Sequence, residues 1–188
     1  MPADEPLAEV SAGQEPAGGG GRWRLLLLRH AKAFPAELFA GTDHDRPLAE
    51  QGLEDARQLG AQLRTEQLRP EVALVSSAVR TRQSWDALAL PLKNDAAPWI
   101  EAELFLADAD MLRRRLARLP EDCRTAILVG HNPGLHELAY ALAHRAGHGA
   151  RLRSFPTCAL AEFALGEPWR DGLSGDGAPP VLSRLRLA

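Results

Sequence analysis

At 188 residues the chain has the length of one domain and is too short for two large ones. Apolar residues make up 45% and charged residues 25%, and a net charge of −3 argues against a nucleic-acid or polybasic membrane partner. No apolar run approaches the length that spans a bilayer, and two cysteines, Cys123 and Cys158, supply no disulfide framework.

Residues 1–21 hold five Gly, three Pro and four acids, with no aromatic residue and no Lys or Arg. Such a segment buries too little apolar surface to offset its ordering entropy, so a disordered acidic tail is expected there, with one folded domain over 22–188. The tail lacks the basic start and apolar centre of a signal peptide. With the unpaired cysteines, this points to the reducing cytoplasm.

From Trp23 onward strand and helix patterns alternate. Arg24–Arg29 (RLLLLR), Glu71–Ser76 (EVALVS) and Thr125–Gly130 (TAILVG) read as strands buried on both faces. Leu53, Ala56, Leu59 and Leu63 form a helical stripe, weakened by Gly52 and Gly60. A second helix is predicted from Ala78 to Leu90, with Ser77 as N-cap and Pro91 as stop. Asp108 caps a third, with Leu112, Leu116 and Leu119 inward and Arg113, Arg114, Arg115 and Arg118 in solvent. A fourth carries Leu135, Leu138, Ala139 and Leu142 and ends near Gly147. Cys158–Leu165 and Val181–Leu187 read as two late strands, the last an antiparallel edge. The alternation predicts a three-layer α/β/α fold around a mostly parallel sheet.

Ligands of such folds bind at the carboxyl ends of the strands. Three strand ends carry cationic or imidazole groups here: Arg29-His30, the turn Ser76-Ser77-Ala78-Val79-Arg80, and Gly130-His131-Asn132-Pro133. A fourth set, Asp43-His44-Asp45-Arg46-Pro47-Leu48, follows the first strand. Strands lying side by side bring two His and up to three Arg to one rim. Guanidinium forks and helix N-termini hold a tetrahedral dianion, and an imidazole beside phosphorus can take up the phosphoryl group covalently.

The segment Leu28-Arg29-His30-Ala31 resembles the signature of the histidine phosphatase (phosphoglycerate mutase-like) superfamily. The ordered blocks LLRHAKA, DRPLAEQG, SSAVRTRQSW and VGHNPGL resemble the SixA-type phosphohistidine phosphatases, over about Trp23 to Phe163. The resemblance implies a phosphoglycerate mutase-like fold, His30 as nucleophile and Arg29 and Arg80 as phosphate-binding arginines. It further implies His131 as the second imidazole, Arg46 as a further substrate-binding arginine, and no metal or cofactor. Asn132, beside His131, is a substrate-binding candidate. Catalysis of this kind rests on positioning and charge stabilisation.

Other readings compete. Arg46 can simply pair with Asp43 or Asp45, and Lys32 reads as an exposed loop residue. A cation at a helix N-terminus opposes the dipole, so Arg80 hints at an anionic ligand. His136-Glu137 begins a zinc-protease pattern, but position 140 is Tyr. Asp43-His44-Asp45 lacks a second cluster for a metal, and His144 and His148 lie at a helix end. Arg is absent six residues after either cysteine, which excludes a cysteine-dependent phosphatase.

The general acid of the wider superfamily has only Glu103 as a candidate, in the stretch Ala102–Asp108, where Leu104 and Phe105 read as packing residues and Asp108 as a cap. Imidazole is a better leaving group than an alkoxide, so a missing acid favours phosphohistidine on a partner protein as substrate. Two alternatives stand beside it: a small-molecule phosphomonoesterase or mutase of the same fold, and a phosphoprotein-binding module without turnover. His30 speaks against the last, since binding needs no nucleophile. A cytoplasmic monomer, with neither nucleic acid nor membrane as partner, is expected.

Overall fold

The computed structural model describes residues 23–187; the tail expected over 1–21 lies outside them. Six strands, β1 (Trp23–Arg29), β2 (Val72–Ser76), β3 (Trp99–Glu101), β4 (Thr125–Gly130), β5 (Leu160–Leu165) and β6 (Val181–Arg186), form one sheet in the order β3-β2-β4-β1-β5-β6. The first four run parallel, whereas β5 lies antiparallel to β1 and β6 antiparallel to β5. The fold is therefore the expected α/β architecture, with β5 alone reversed and the edge strand β6 running again with the other four.

Strand alternation decides which helices cover which face. Leu25 and Leu27 of β1 join one buried cluster with Leu112 and Leu116 of α3 (Ala109–Leu116) and Leu135, Leu138 and Leu142 of α4 (Gly134–Arg145). Leu26 and Leu28 join the opposite cluster, with Ala56, Leu59 and Leu63 of α1 (Glu50–Thr65) and Trp85 and Leu88 of α2 (Val79–Leu88). Burying each such leucine stabilises the fold by about 1.5–3 kcal/mol relative to exposure. The parallel strands all end at one edge of this sandwich, and the loops there carry the candidate residues.

Several sequence expectations need amendment. The strand β3 has no period long enough to read; three residues pair with Leu74, Val75 and Ser76 at the sheet margin. Helix α1 runs unbroken through Gly52 and Gly60, and both are glycine because other backbone presses against them. A Cβ at Gly52 would lie 2.1 Å from the Lys32 carbonyl, and one at Gly60 2.0 Å from that of Leu88. Ser77 is not the N-cap of α2. Ala78 holds that position without a side-chain bond, and the Ser77 hydroxyl instead meets His44. Asp108 does cap α3, accepting from Met111 N–H at 2.7 Å. Arg115 is not solvated like its neighbours, since its guanidinium forks onto Glu101.

Candidate active site

The end of β1 lies between β4 on one side and the start of β5 on the other. His30 N–H donates to the Gly130 carbonyl at 3.1 Å, and the His30 carbonyl accepts from Cys158 N–H at 3.1 Å. The side chain is buried, and Nδ1 lies 2.8 Å from the Ala31 carbonyl. A carbonyl has no proton to give, so Nδ1 carries the hydrogen and the Nε2 lone pair is left free. Burial pushes the His30 imidazole down to about 4, aided by the charges of Arg80, Arg29 and Arg46 and opposed by the Ala31 hydrogen bond. The ring is therefore neutral, and nucleophilic, throughout the neutral range.

His131, at the end of β4, stands with its ring centroid 5.2 Å from that of His30. Its Nε2 is 2.8 Å from the Ser76 hydroxyl at the end of β2. Burial and the neighbouring His30 push it down to about 3. Nδ1 of His131 is buried and has no protein partner among the described residues, and it is a donor in the tautomer in which Ser76 donates to Nε2.

Arg80 enters from the first turn of α2 and is 2% exposed. Its fork grips the turn after β1, with one amine on the Asp43 carbonyl and the other 2.9 Å from Asp43 Oδ2. Burial lowers its pKa, and Asp43 raises it in part. Arg29 donates to the Phe155 carbonyl at 2.9 Å, and the Asn132 amide donates to the same oxygen at 2.9 Å. The Nε atoms of Arg29 and Arg80 are buried without protein partners among the described residues. Orphaned buried donors on two guanidiniums and an imidazole, around a free imidazole nitrogen, match the oxygens of a phosphoryl group.

Much of the S-S-A-V-R-T-R-Q-S block holds this corner together. Thr81 bonds the Ser76 and Ala78 carbonyls, Ser84 accepts from Ala31 N–H and donates to the Arg80 carbonyl, and Gln83 accepts from Leu48 N–H. Helix α2 thus ties the nucleophile's turn to the pocket arginine and to the D-R-P-L segment.

Arg46 lies close enough to depress His30, but its donors are engaged, on Asp43 Oδ1 at 3.0 and 2.8 Å and on the Phe34 carbonyl at 2.9 Å. Asp43 thereby bridges Arg46 and Arg80. Glu103 is exposed and makes no hydrogen bond or ion pair with these residues. The sequence reading missed three neighbours. Phe105, taken there as a packing residue, meets His131 edge-on at 5.4 Å, His44 at 5.0 Å, and the Arg80 guanidinium at 5.6 Å. Ser76 and Ser77 each hold one imidazole, and their adjacency was the only sequence signal.

Known proteins resemble the chain in sequence and in fold. Residues 25–105 match the model of the histidine phosphatase superfamily (branch 1). An uncharacterised protein of Mycobacterium tuberculosis is 31% identical over 150 residues, covering 77% of this chain and 90% of that one. Among solved structures, the protein of Nakamurella multipartitia provisionally named phosphohistidine phosphatase SixA superposes with a TM-score of 0.77 at 28% identity, covering 92% of this chain and 98% of that one. The Agrobacterium tumefaciens protein with the same provisional name gives a TM-score of 0.69 at 30% identity, over 76% and 92% of the two chains. A chain with this fold, this pocket and these relatives belongs to the histidine phosphatase superfamily.

Proposed function

We propose that the protein removes phosphoryl groups through a phosphohistidine on His30, and that its substrate is phosphohistidine on a partner protein. The observation that carries the first part is the Nδ1 bond of His30 to the Ala31 carbonyl, which leaves a neutral Nε2 free beside Arg29, Arg80 and His131. In this reading Nε2 attacks phosphorus, the leaving group departs, and water then cleaves the P–N bond to return His30. Arg29, Arg80 and His131 Nδ1–H hold the equatorial oxygens as charge develops. Arg46 and Asn132 support the pocket through Asp43 and the Phe155 carbonyl.

The second part is supported by the absence of a carboxylic acid in contact with the pocket histidines among the described residues, and by the names carried by the two similar structures. Imidazole leaves phosphorus more readily than an alkoxide does. The test is a panel of phosphohistidine peptide, phosphoserine peptide and sugar phosphate, run on wild type and His30→Ala. Preference for the first, with an acid-labile and base-stable phosphoenzyme absent from the variant, is expected. A base-labile phosphoenzyme, or one retained in His30→Ala, would overturn the nucleophile; preference for a sugar phosphate would overturn the substrate.

A further inference from the structure

The pocket holds a nucleophile and its cations, yet a leaving group that departs as an anion must still collect a proton. Asp43 is not suited to give one. Partial burial favours its acid form, but hydrogen bonds and charge from Arg46 and Arg80 outweigh this and hold its carboxyl below the usual range. Glu103 is exposed and bonded to nothing in the pocket.

One titratable group at the mouth has no place in the scheme so far. His44 projects from the short turn Asp43–Asp45, and its Nε2 lies 2.8 Å from the Ser77 hydroxyl. Its ring stands edge-on to Phe105, whose other neighbours are His131 and Arg80. On the far side Nδ1 is 3.6 Å from Asp45 Oδ1, and the other oxygen of that carboxylate accepts from Thr42 at 2.7 Å. A carboxylate, an imidazole and a hydroxyl thus run in series from solvent to the pocket rim. Consecutive serines at one strand end divide the two imidazoles between them, Ser76 holding His131 and Ser77 holding His44. The exposures differ in the sense that proton supply requires: His44 is half-buried, whereas His30 and His131 are buried. His44 can exchange protons with bulk water, and the buried pair meets far less of it.

We infer that His44, acting through the Ser77 hydroxyl, delivers the proton that the leaving group takes up. This rests on the phosphatase reading above and deepens it. As the bond from phosphorus to His30 Nε2 forms and the bond to the leaving atom breaks, the leaving group takes the Ser77 proton. Ser77 is reprotonated in turn from the Nε2–H of the His44 imidazolium. In the second half, water attacks phosphorus, the P–N bond returns its electron pair to His30, and the surplus proton of water passes back through Ser77 to His44. Bonds and protons balance over the cycle, and the products are phosphate and the protonated leaving group. For a phosphoimidazole, the receiving atom is the unphosphorylated ring nitrogen. The charges around His44 are Asp45 and Asp43 from its own turn, Arg80 across Phe105, Arg46 behind Asp43, and Arg82 of α2, whose charge acts on Asp45.

The test compares two aryl esters on the full chain, wild type against His44→Asn and Ser77→Ala. Dinitrophenolate leaves phosphorus without a proton, and phenolate does not. With phenyl phosphate each variant is expected to lose about a hundredfold or more in kcat/KM, and with dinitrophenyl phosphate less than about threefold. Equal losses on both esters, as a purely structural role would give, would overturn the relay and leave the phosphatase intact. Unchanged phenyl phosphate hydrolysis in the variants would do the same. Wild type that cleaves a phosphohistidine peptide but neither ester would overturn the relay alone, and wild type that cleaves none of the three would overturn the phosphatase reading as well.

Discussion

The rings of His30 and His131 lie 5.2 Å apart between centroids, tilted by 56°, and both are buried. Each therefore folds as the neutral imidazole, His30 pushed down to about 4 and His131 to about 3. An unfolded histidine titrates near 6.5. As pH falls below that value the unfolded chain binds the protons first, so stability is full above about 6.5 and declines towards about 4 for His30 and about 3 for His131. The loss attributable to His30 approaches ~3 kcal/mol at the acid end. Urea midpoints measured near neutrality and near pH ~5 should show the decline, and His30→Asn or His131→Asn should flatten it.

Pocket donors should matter to chemistry far more than to folding. Arg29→Ala, Arg80→Ala and His131→Ala should each lower kcat/KM by at least about a hundredfold, the scale of a lost preorganised donor. Arg46→Ala should lose less, since its guanidinium is spent on Asp43 and the Phe34 carbonyl. Steady-state kinetics on one aryl phosphate decides this. Near wild-type activity in Arg80→Ala would show that the pocket lies elsewhere.

Glu103→Gln isolates the carboxylic acid. Glutamine keeps the size and hydrogen bonding of glutamate but gives up no proton at neutral pH. Hydrolysis of a phosphohistidine peptide should stay within about tenfold of wild type, below the ~10²–10⁴ effect of losing a general acid. A larger loss on both that peptide and an alkyl phosphate would make Glu103 catalytic.

Gly60→Ala probes the seam between α1 and α2. Alanine is the better helix former by about 1 kcal/mol, so propensity alone predicts a gain. The 2.0 Å approach of its Cβ to the Leu88 carbonyl predicts the reverse, since backbone must separate. The variant should be destabilised by about 1–3 kcal/mol, the usual range for overpacking, and thermal unfolding measures it directly.

That seam also shows where a one-dimensional reading ends. Gly60 weakens a helix in sequence, and only the neighbouring helix explains its presence. The strands β1, β2 and β4 were readable because each is buried on both faces and so is apolar throughout. Their shared direction then placed Arg29, His30, Arg80 and His131 along one edge. The strand β3 was not readable, since its residues Trp99 and Ile100 are partly exposed and pair at the margin. Ser77 looked like a cap because serine before a helix usually is one. Its bond to His44 spans 33 residues and leaves no periodic trace.

The backbone bonds on either side of His30 bear on when different parts of the site come loose. An amide that pairs with β4, and a carbonyl that pairs with the approach to β5, open only when the centre of the sheet does, so exchange of the His30 amide with deuterium should track global unfolding. The turn carrying His44 and Arg46 is closed by short local bonds, Asp45 N–H to Thr42 and Arg46 N–H to Asp43. Its amides should exchange by local fraying at far lower free energy. Phosphoryl chemistry is thus anchored in the slowest-opening layer of the molecule, and the mouth that meets each new substrate belongs to a faster-opening layer tied to it by side chains, Arg80 on Asp43 and Ser77 on His44.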